Sequence, residues 1–379
     1  MDLSFDESQR ALRDAARAFL AERSSSERVR AAMASEHGFE PEVWRRIGGE
    51  LGWTALAVPE ECGGLGLGPV ELTALMEELG AALLCAPFFS TVCLGGAAIL
   101  EAGDEEQRRA HLPAIAAGAS IATLALAEPG GRWDPAGIEA ELRPAGDGFV
   151  LAGVKRYVPD GAAADLLVVA ARRPGTGGDA GLSLVVVPGD AAGLERRALP
   201  TLDRTRRQAE VRLRAVRVPR SAVLGEEGGA GPALERVLDR ALVALAAEQV
   251  GGAQRCLDMA VAYAKERVQF GRPIGSFQAI KHKCADMLVA LESARSAAYY
   301  AAAAAAADDP ELPVLASLAK VRCSEAFFRC AAEAIQIHGG IGFTWEHDCH
   351  LYFKRARSSA TLLGDPAYHR ERIAGRIGL

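Results

Sequence analysis

The stretch Glu266-Arg267-Val268-Gln269-Phe270-Gly271-Arg272-Pro273, running on through Ile274 to Phe277-Gln278-Ala279-Ile280-Lys281, decides how the rest of the chain is read. It joins a fixed cation, an amide, an aromatic ring and a Gly-x-Pro loop between two segments of helical spacing. Arg267 offers a guanidinium fork, which suits the geometry of a pyrophosphate. Phe270 and Phe277 are placed to wall an aromatic cofactor. Taken alone, a helix–helix connection with a surface arginine is the simpler account of these residues.

Outward from this stretch the texture of the chain changes twice, dividing it into residues 1–120, 121–225 and 226–379. The first region is helical: Leu12, Ala15, Ala16 and Phe19 recur on one face, as do Leu72, Leu75, Met76 and Leu79. Gly and Pro break the pattern in the loop Val58–Gly66. The second region holds short β-branched runs, Ile121–Leu126, Phe149–Leu151, Leu166–Ala170, Leu182–Val187 and Glu210–Val216, separated by Gly, Pro and Asp. That is the texture of an antiparallel β domain. After Gly231-Pro232 a helix period returns through Leu234, Val237, Leu238, Ala241, Leu242 and Leu245, with further helices around 277–307 and 313–338. The fold class is therefore α+β, mainly α: helices, a middle β domain, and a C-terminal helical bundle.

A second motif, Gln336-Ile337-His338-Gly339-Gly340-Ile341-Gly342-Phe343, puts glycines at a helix end, where a backbone can approach a ligand closely. The two motifs in this order resemble the flavin-binding pair of acyl-CoA dehydrogenases, and the resemblance covers essentially the whole chain. It implies a four-helix C-terminal bundle and a tetramer, homo- or hetero-, with FAD sites between subunits. It also implies that Arg267, Gln269, Phe270, Ile274, Phe277, Gln278, Gln336, Gly339 and Gly340 hold the cofactor, the ADP half of an FAD bound mainly by a neighbouring subunit.

Two stretches of the β domain resemble the family's flavin-facing motifs, Ala125-Leu126-Ala127-Glu128-Pro129-Gly130 and Gly153-Val154-Lys155-Arg156-Tyr157-Val158-Pro159-Asp160-Gly161. They imply contacts from Leu126, Tyr157 and Val158 to the flavin ring. Ala127 and Pro159 stand where the family usually has hydroxyl side chains, and Tyr157 stands where it usually has Trp. An aromatic wall remains, but Pro159 has no N–H to donate.

The activity implied is α,β-desaturation of an acyl-CoA: a carboxylate removes the α-proton and the β-hydrogen leaves as hydride to flavin N5. The base needs a raised pKa and close approach to the α-carbon. In most members it is a Glu before a Gly near the C-terminus, but Ala360-Thr361-Leu362-Leu363-Gly364-Asp365-Pro366 carries Leu363 there. The family's second option, early in the first bundle helix, falls on Leu242. The same helix offers Glu248, the only charged residue between Arg240 and Arg255. Ala241, Ala244, Leu245, Gly251 and Gly252 share its face at helical spacing. Small apolar neighbours leave room for a ligand and give a carboxylate a reason for a raised pKa. Glu248 is the expected catalytic base; the plainer reading is an ion pair across the bundle with Arg295 or Lys320. Asp365 is the nearest alternative, with a helix cap as its simpler role. Asp239 and Arg240 lie near the family's CoA-contacting part of the helix, or are surface charges.

Other function classes find little support. A net charge of -6 carries no footprint for nucleic acid. The start, Met1-Asp2-Leu3-Ser4-Phe5-Asp6-Glu7, lacks the apolar core of a secretory signal. Ala297–Ala307 is too short to span a bilayer, so membrane insertion is not expected. The expected location is cytoplasmic, with the eight scattered cysteines reduced. His338 sits beside the FAD motif, and His347, Cys349 and His350 form a short polar cluster without a second ligand pair, so no metal is expected. Two functions compete. One is an FAD-dependent dehydrogenase using Glu248 and passing electrons to an electron-transfer flavoprotein. The other is a non-catalytic subunit of a mixed tetramer that shares a partner's FAD site. A flavin oxidase or monooxygenase on the same scaffold is a weaker third. The small residues near Glu248 are compatible with a branched, aromatic or steroid-like acyl group.

Overall fold

The computed structural model of the chain describes residues 4–379; Met1, Asp2 and Leu3, which open the acidic start, lie outside the described residues. The N-terminal region carries α1 (Glu7–Arg23), α2 (Ser26–Ala34), α3 (Pro41–Gly49), α4 (Pro69–Ala81), α5 (Ala97–Ala102) and α6 (Glu105–Ala116), with a π-helical stretch at Phe89–Gly96. The strands are β1 (Ala122–Ala125), β2 (Glu141–Ala145), β3 (Gly148–Pro159), β4 (Leu166–Arg172), β5 (Leu182–Pro188), β6 (Leu194–Ala198) and β7 (Gln208–Pro219). The C-terminal region is α7 (Gly231–Glu266), a hairpin of β8 (Val268–Gln269) and β9 (Arg272–Pro273), then α8 (Gln278–Ala306), α9 (Leu312–His338), α10 (Cys349–Thr361) and α11 (Pro366–Arg376).

These elements form two compact units. The first gathers the chain up to Ala31, Pro69–Leu84 and Leu242–Leu379; the second gathers Ala32–Gly68 and Cys85–Ala241. In the first, α9 packs along α8 and α10 and also takes α11, while α1 lies on α4. The start of α1 is set by a capping box, the Asp6 carboxylate accepting from Gln9 N–H and the Gln9 side chain returning to Asp6 N–H. Its buried face is Ala16 and Leu20; Ala15, expected inside, is exposed. Helices α4 and α7 cross at glycines. A Cβ on Gly80 would lie 2.0 Å from the Glu248 carbonyl oxygen, and one on Gly251 would lie 1.8 Å from the Glu77 carbonyl oxygen. Only glycine permits backbones this close.

The second unit is built on a seven-stranded sheet ordered β1-β4-β2-β3-β7-β6, with β5 also pairing β4. The long ladders β3–β7, β4–β5 and β2–β3 are antiparallel, as the sequence texture implied. Two pairings are parallel: β1 with β4 from Ala122↔Leu166 to Ala125↔Val169, and β2 with β4 at Glu141↔Arg172. Strand β1 enters from α6 rather than through a hairpin, so no tight turn dictates its direction. Strand β6 escapes sequence reading because its residues are largely exposed and charged, and β2 because its mixed residues show little apolar alternation. All eight cysteines are free thiols, seven buried and Cys284 half-buried. Among the described residues no helix is long and apolar enough to cross a membrane.

Candidate functional site

The segment read as a helix connection is a tight hairpin. Val268 pairs with Pro273 and Gln269 with Arg272. The turn residues Phe270 and Gly271 both have positive φ, 52° and 75°. A two-residue turn of the I′ kind needs that at both central positions, which Gly meets freely and Phe only under strain. At the tip of this turn Phe270 is 91% exposed. It meets Phe277 edge-on, ring centroids 6.2 Å apart, and the Arg272 guanidinium lies over the Phe277 ring at 4.1 Å. Ile274 N–H donates to the Arg267 carbonyl at 2.8 Å, closing the hairpin onto the end of α7. Arg267, Gln269 and Gln278 remain exposed around this turn.

The glycine motif arrives at the same end of the bundle. The Tyr263 ring in the last turns of α7 stacks on His338 at the end of α9, 4.4 Å between centroids. Lys283 near the start of α8 donates to Glu333 on α9 at 2.5 Å. So α8 begins where α9 ends, and Gln336, Gly339 and Gly340 lie exposed beside the hairpin region. Gly339 has φ 65°, and a Cβ on either Gly339 or Gly340 would meet nothing within 4 Å. The space above these backbones is open, and the exposed amides of Gln269, Gln278 and Gln336 and the Arg267 guanidinium belong to the segments that end here. This donor set fits the phosphates and adenosine of an ADP moiety. His338 itself is buried, and burial holds its pKa below the usual imidazole range, partly offset by the Ala334 carbonyl.

In the second unit the two β motifs are fastened to each other. The Lys155 ammonium, wholly buried, donates to the Glu128 carboxylate at 2.6 Å and to the Leu126 carbonyl at 3.1 Å. Glu128 also accepts from Glu139 and Ala140 N–H, and Arg156 N–H donates to the Ala127 carbonyl at 2.8 Å. Burial lowers the Lys155 pKa to about 8 against the pull of Glu128. Between Lys155 and Val158 the ladder to β7 slips, and Tyr157 sits in that bulge with φ 59°. Bulges of this kind re-aim a side chain. Leu126 and Val158 are buried, and Pro159, without an N–H, is held by Thr123 Oγ1 donating to its carbonyl at 2.6 Å.

Glu248 has a partner that the sequence reading did not name. Its Oε1 accepts from Arg355 Nη1 on α10 at 2.9 Å, and the two side chains are 4% and 3% exposed. The partners proposed for a structural pair are engaged elsewhere: Arg295 pairs with Glu77, and Lys320 donates to the Ser359 and Ala360 carbonyls at 2.6 and 3.0 Å. The room expected beside Glu248 is filled. Gly251 and the neighbouring Gly80 receive the α4–α7 crossing, and a Cβ on Gly252 would strike the Phe327 ring at 2.4 Å. Small residues here serve close helix packing. Next to the pair, Gln249 donates to Ser324 and Ser359, so α7, α9 and α10 share a buried polar layer. Arg355 was legible in one respect: Leu351, Arg355 and Ser359 fall at four-residue spacing on the buried face of α10.

Position 363, where the usual base is replaced, keeps an unusual backbone. Leu363 is 4% exposed with φ 60°, and its carbonyl accepts from the buried His369 Nε2 at 3.0 Å. Asp365 caps α11, its carboxylate accepting from Tyr368 N–H at 2.8 Å. Asp239 is buried rather than at the surface, and Arg240 pairs with Glu101 at 3.2 Å.

Family models match nearly end to end: the N-terminal domain of acyl-CoA dehydrogenases over residues 6–119, the middle domain over 123–216 and the C-terminal domain over 228–378. Acyl-CoA dehydrogenase IpdE2 of Mycolicibacterium smegmatis is 36% identical, covering 98% of this chain and 99% of its own. The chain belongs to the acyl-CoA dehydrogenase family. Members of this family are FAD-dependent oxidoreductases acting on acyl-CoA. Among solved structures, the Tcur3481–Tcur3483 steroid acyl-CoA dehydrogenase variant superposes with TM-score 0.87 at 33% identity, each chain 98% covered. The ChsE4–ChsE5 complex from Mycobacterium tuberculosis superposes with TM-score 0.89 at 26% identity, over 100% of this chain and 99% of that one. As an acyl-CoA dehydrogenase, the chain has open glycine backbones at the end of α9, and it carries Leu242 and Leu363 at the two positions where the resemblance implied a base.

Proposed function

We propose that this chain is one of two kinds of subunit in a heteromeric acyl-CoA dehydrogenase. It lends Arg267, Gln269, Phe270, Ile274, Phe277, Gln278, Gln336, Gly339 and Gly340 to the ADP half of a shared FAD, and a homologous partner brings the carboxylate. The observation that carries this reading is the state of Glu248, the carboxylate expected as the base on α7. Glu248 is tied to Arg355 at 2.9 Å inside a filled helix crossing, and Leu363 has no proton acceptor. A base must reach the substrate α-carbon, and an acid locked to a guanidinium behind packed backbones does not. Two similar solved structures carry paired names, Tcur3481–Tcur3483 and ChsE4–ChsE5, which supports a two-gene assembly here. The steroid activity named for the first supports a bulky acyl-CoA as substrate.

When bound, FAD supplies the hydride acceptor for the β-hydrogen. This chain's residues bind and orient it: Arg267 counters the pyrophosphate charge, the amides hold the adenosine side, and the bare glycine backbones allow close approach. Leu126, Tyr157 and Val158 form the ring-facing side of the β unit, fastened by Lys155 and Glu128. Electrons then leave to an electron-transfer flavoprotein, and the site of action is the cytoplasm. The second reading keeps Glu248 as the base in a self-sufficient enzyme; its burial near an α7 glycine pair is the feature in its favour.

Expression alone and with a homologous partner separates the two. The proposal expects a colourless chain alone, and an assembly that holds FAD and bleaches with acyl-CoA. A yellow single-chain protein with stoichiometric FAD, reduced by acyl-CoA and silenced by Glu248→Gln, would replace it with the second reading.

A further inference from the structure

Three soft or borderline donors converge where α9 ends and α10 begins. His338 is the last residue of α9, His347 lies in the connecting loop, and Cys349 opens α10. One donor atom from each lies within 4.8 Å of the other two. Cys349 Sγ is 3.5 Å from His338 Nδ1. A zinc-type ion sits about 2.0–2.1 Å from nitrogen and about 2.3 Å from sulfur, and a tetrahedral angle between those bonds separates N and S by about 3.5 Å.

We propose that His338, His347 and Cys349 form a binding site for a borderline-soft divalent cation of the Zn2+ type. The existing contacts already gather the three side chains. His347 Nδ1 accepts from Cys349 N–H at 3.2 Å, which holds the ring against residue 349, and a cation takes that lone pair in place of the N–H. His338 Nδ1 lies 2.7 Å from the Ala334 carbonyl oxygen and donates its proton there, so ligation through this nitrogen moves the ring proton to Nε2 and gives up that hydrogen bond. That carbonyl stands four residues back along α9, where the helix ladder supplies a main-chain donor, so turning the nitrogen to a cation strands no acceptor. The Tyr263 ring stacked at 4.4 Å fixes the plane of His338, as outer contacts commonly do for metal-bound histidines. Two imidazoles and a thiolate suit zinc better than calcium or magnesium, which take oxygen ligands. Water fills the fourth position. Binding converts the Cys349 thiol to a metal-bound thiolate and releases its proton to solvent.

The sequence hides this site because His338 stands eleven residues before Cys349 and belongs by its motif to the glycine turn. Folding closes the loop between them. A cation there staples the end of α9 to the start of α10 and so holds the loop bearing Gly339 and Gly340. The proposal does not depend on which subunit holds the flavin.

The test uses the full chain with any purification tag removed, and Zn2+ and Co2+ as probes. The expected results are equimolar zinc retained after desalting, a thiolate-to-cobalt charge-transfer band on Co2+ titration, proton release, and a higher melting temperature with Zn2+. His347→Gln and Cys349→Ser each weaken Zn2+ binding by about tenfold or more, while Cys284→Ser on α8 does not. Absence of the charge-transfer band in the unmodified chain overturns the site without recourse to any variant. Equal zinc retention by the wild type and both ligand variants overturns it as well.

Discussion

The Glu248–Arg355 pair gives the sharpest test of how this chain contributes to dehydrogenation. At 2.9 Å the attraction is about 6 kcal/mol for an effective dielectric near 20. Desolvating each ion costs several kcal/mol, so the intact pair adds little net stability. Losing one partner is different, because both side chains are nearly fully buried and the survivor is left uncompensated. Glu248→Leu is therefore expected to cost about 3–5 kcal/mol. Glu248→Leu with Arg355→Met removes both charges and is expected to return to within about 1 kcal/mol of the parent, or above it. Arg355→Met alone is expected to cost about 3–5 kcal/mol as well, so the coupling energy from the double-mutant cycle is about 6–10 kcal/mol. Urea unfolding of the purified chain reads the stability, and stopped-flow bleaching of flavin in the FAD-loaded assembly reads the chemistry. If the pair is structural, the double variant recovers stability and its assembly reduces flavin at the parental rate. A double variant no more stable than Glu248→Leu would refute the ion-pair reasoning. A stable double variant whose assembly holds FAD but no longer bleaches would return Glu248 to the role of base.

Three further outcomes are expected. Arg267→Ala should weaken FAD retention by the assembly about 10–100-fold, and Arg267→Lys should rescue only part of it, because an ammonium lacks the bidentate fork; equilibrium dialysis measures both. Gly251→Ala should destabilise the chain by about 1–3 kcal/mol or more, since its Cβ meets the Glu77 carbonyl oxygen at 1.8 Å; an unchanged melting temperature would refute the tight crossing of α4 and α7. His369, buried on the Leu363 carbonyl, has its pKa lowered by burial to about 3. Between pH 6.5 and about 3 the unfolded chain binds that proton and the folded chain does not, so this group's contribution falls as pH falls through the window. His369→Gln should flatten the acid limb of stability over that range, as followed by thermal melts at several pH values.

Much of the molecule was readable from residues alone. Helical periods and β-branched runs gave the order of helices, sheet and bundle, because burial of one face imposes its period on the sequence. The hairpin motif and the glycine motif announced the family, since bidentate cations and bare backbones are local features that a sequence carries in any fold. The losses at Ala127, Pro159 and Leu363 were equally visible, because a missing functional group is missing in any fold. What the sequence could not decide were the encounters between distant segments. Gly251 and Gly252 read as room for a ligand until α4 and Phe327 were found occupying it. Glu248 read as an isolated acid because Arg355 stands 107 residues away along the chain. His338 read as part of the flavin motif until folding brought it to His347 and Cys349. The first stretch quoted thus determined the family and its cofactor. The tertiary structure decided which side chains are occupied by one another, because pairing and packing depend on distances in space that periodicity along a chain does not encode.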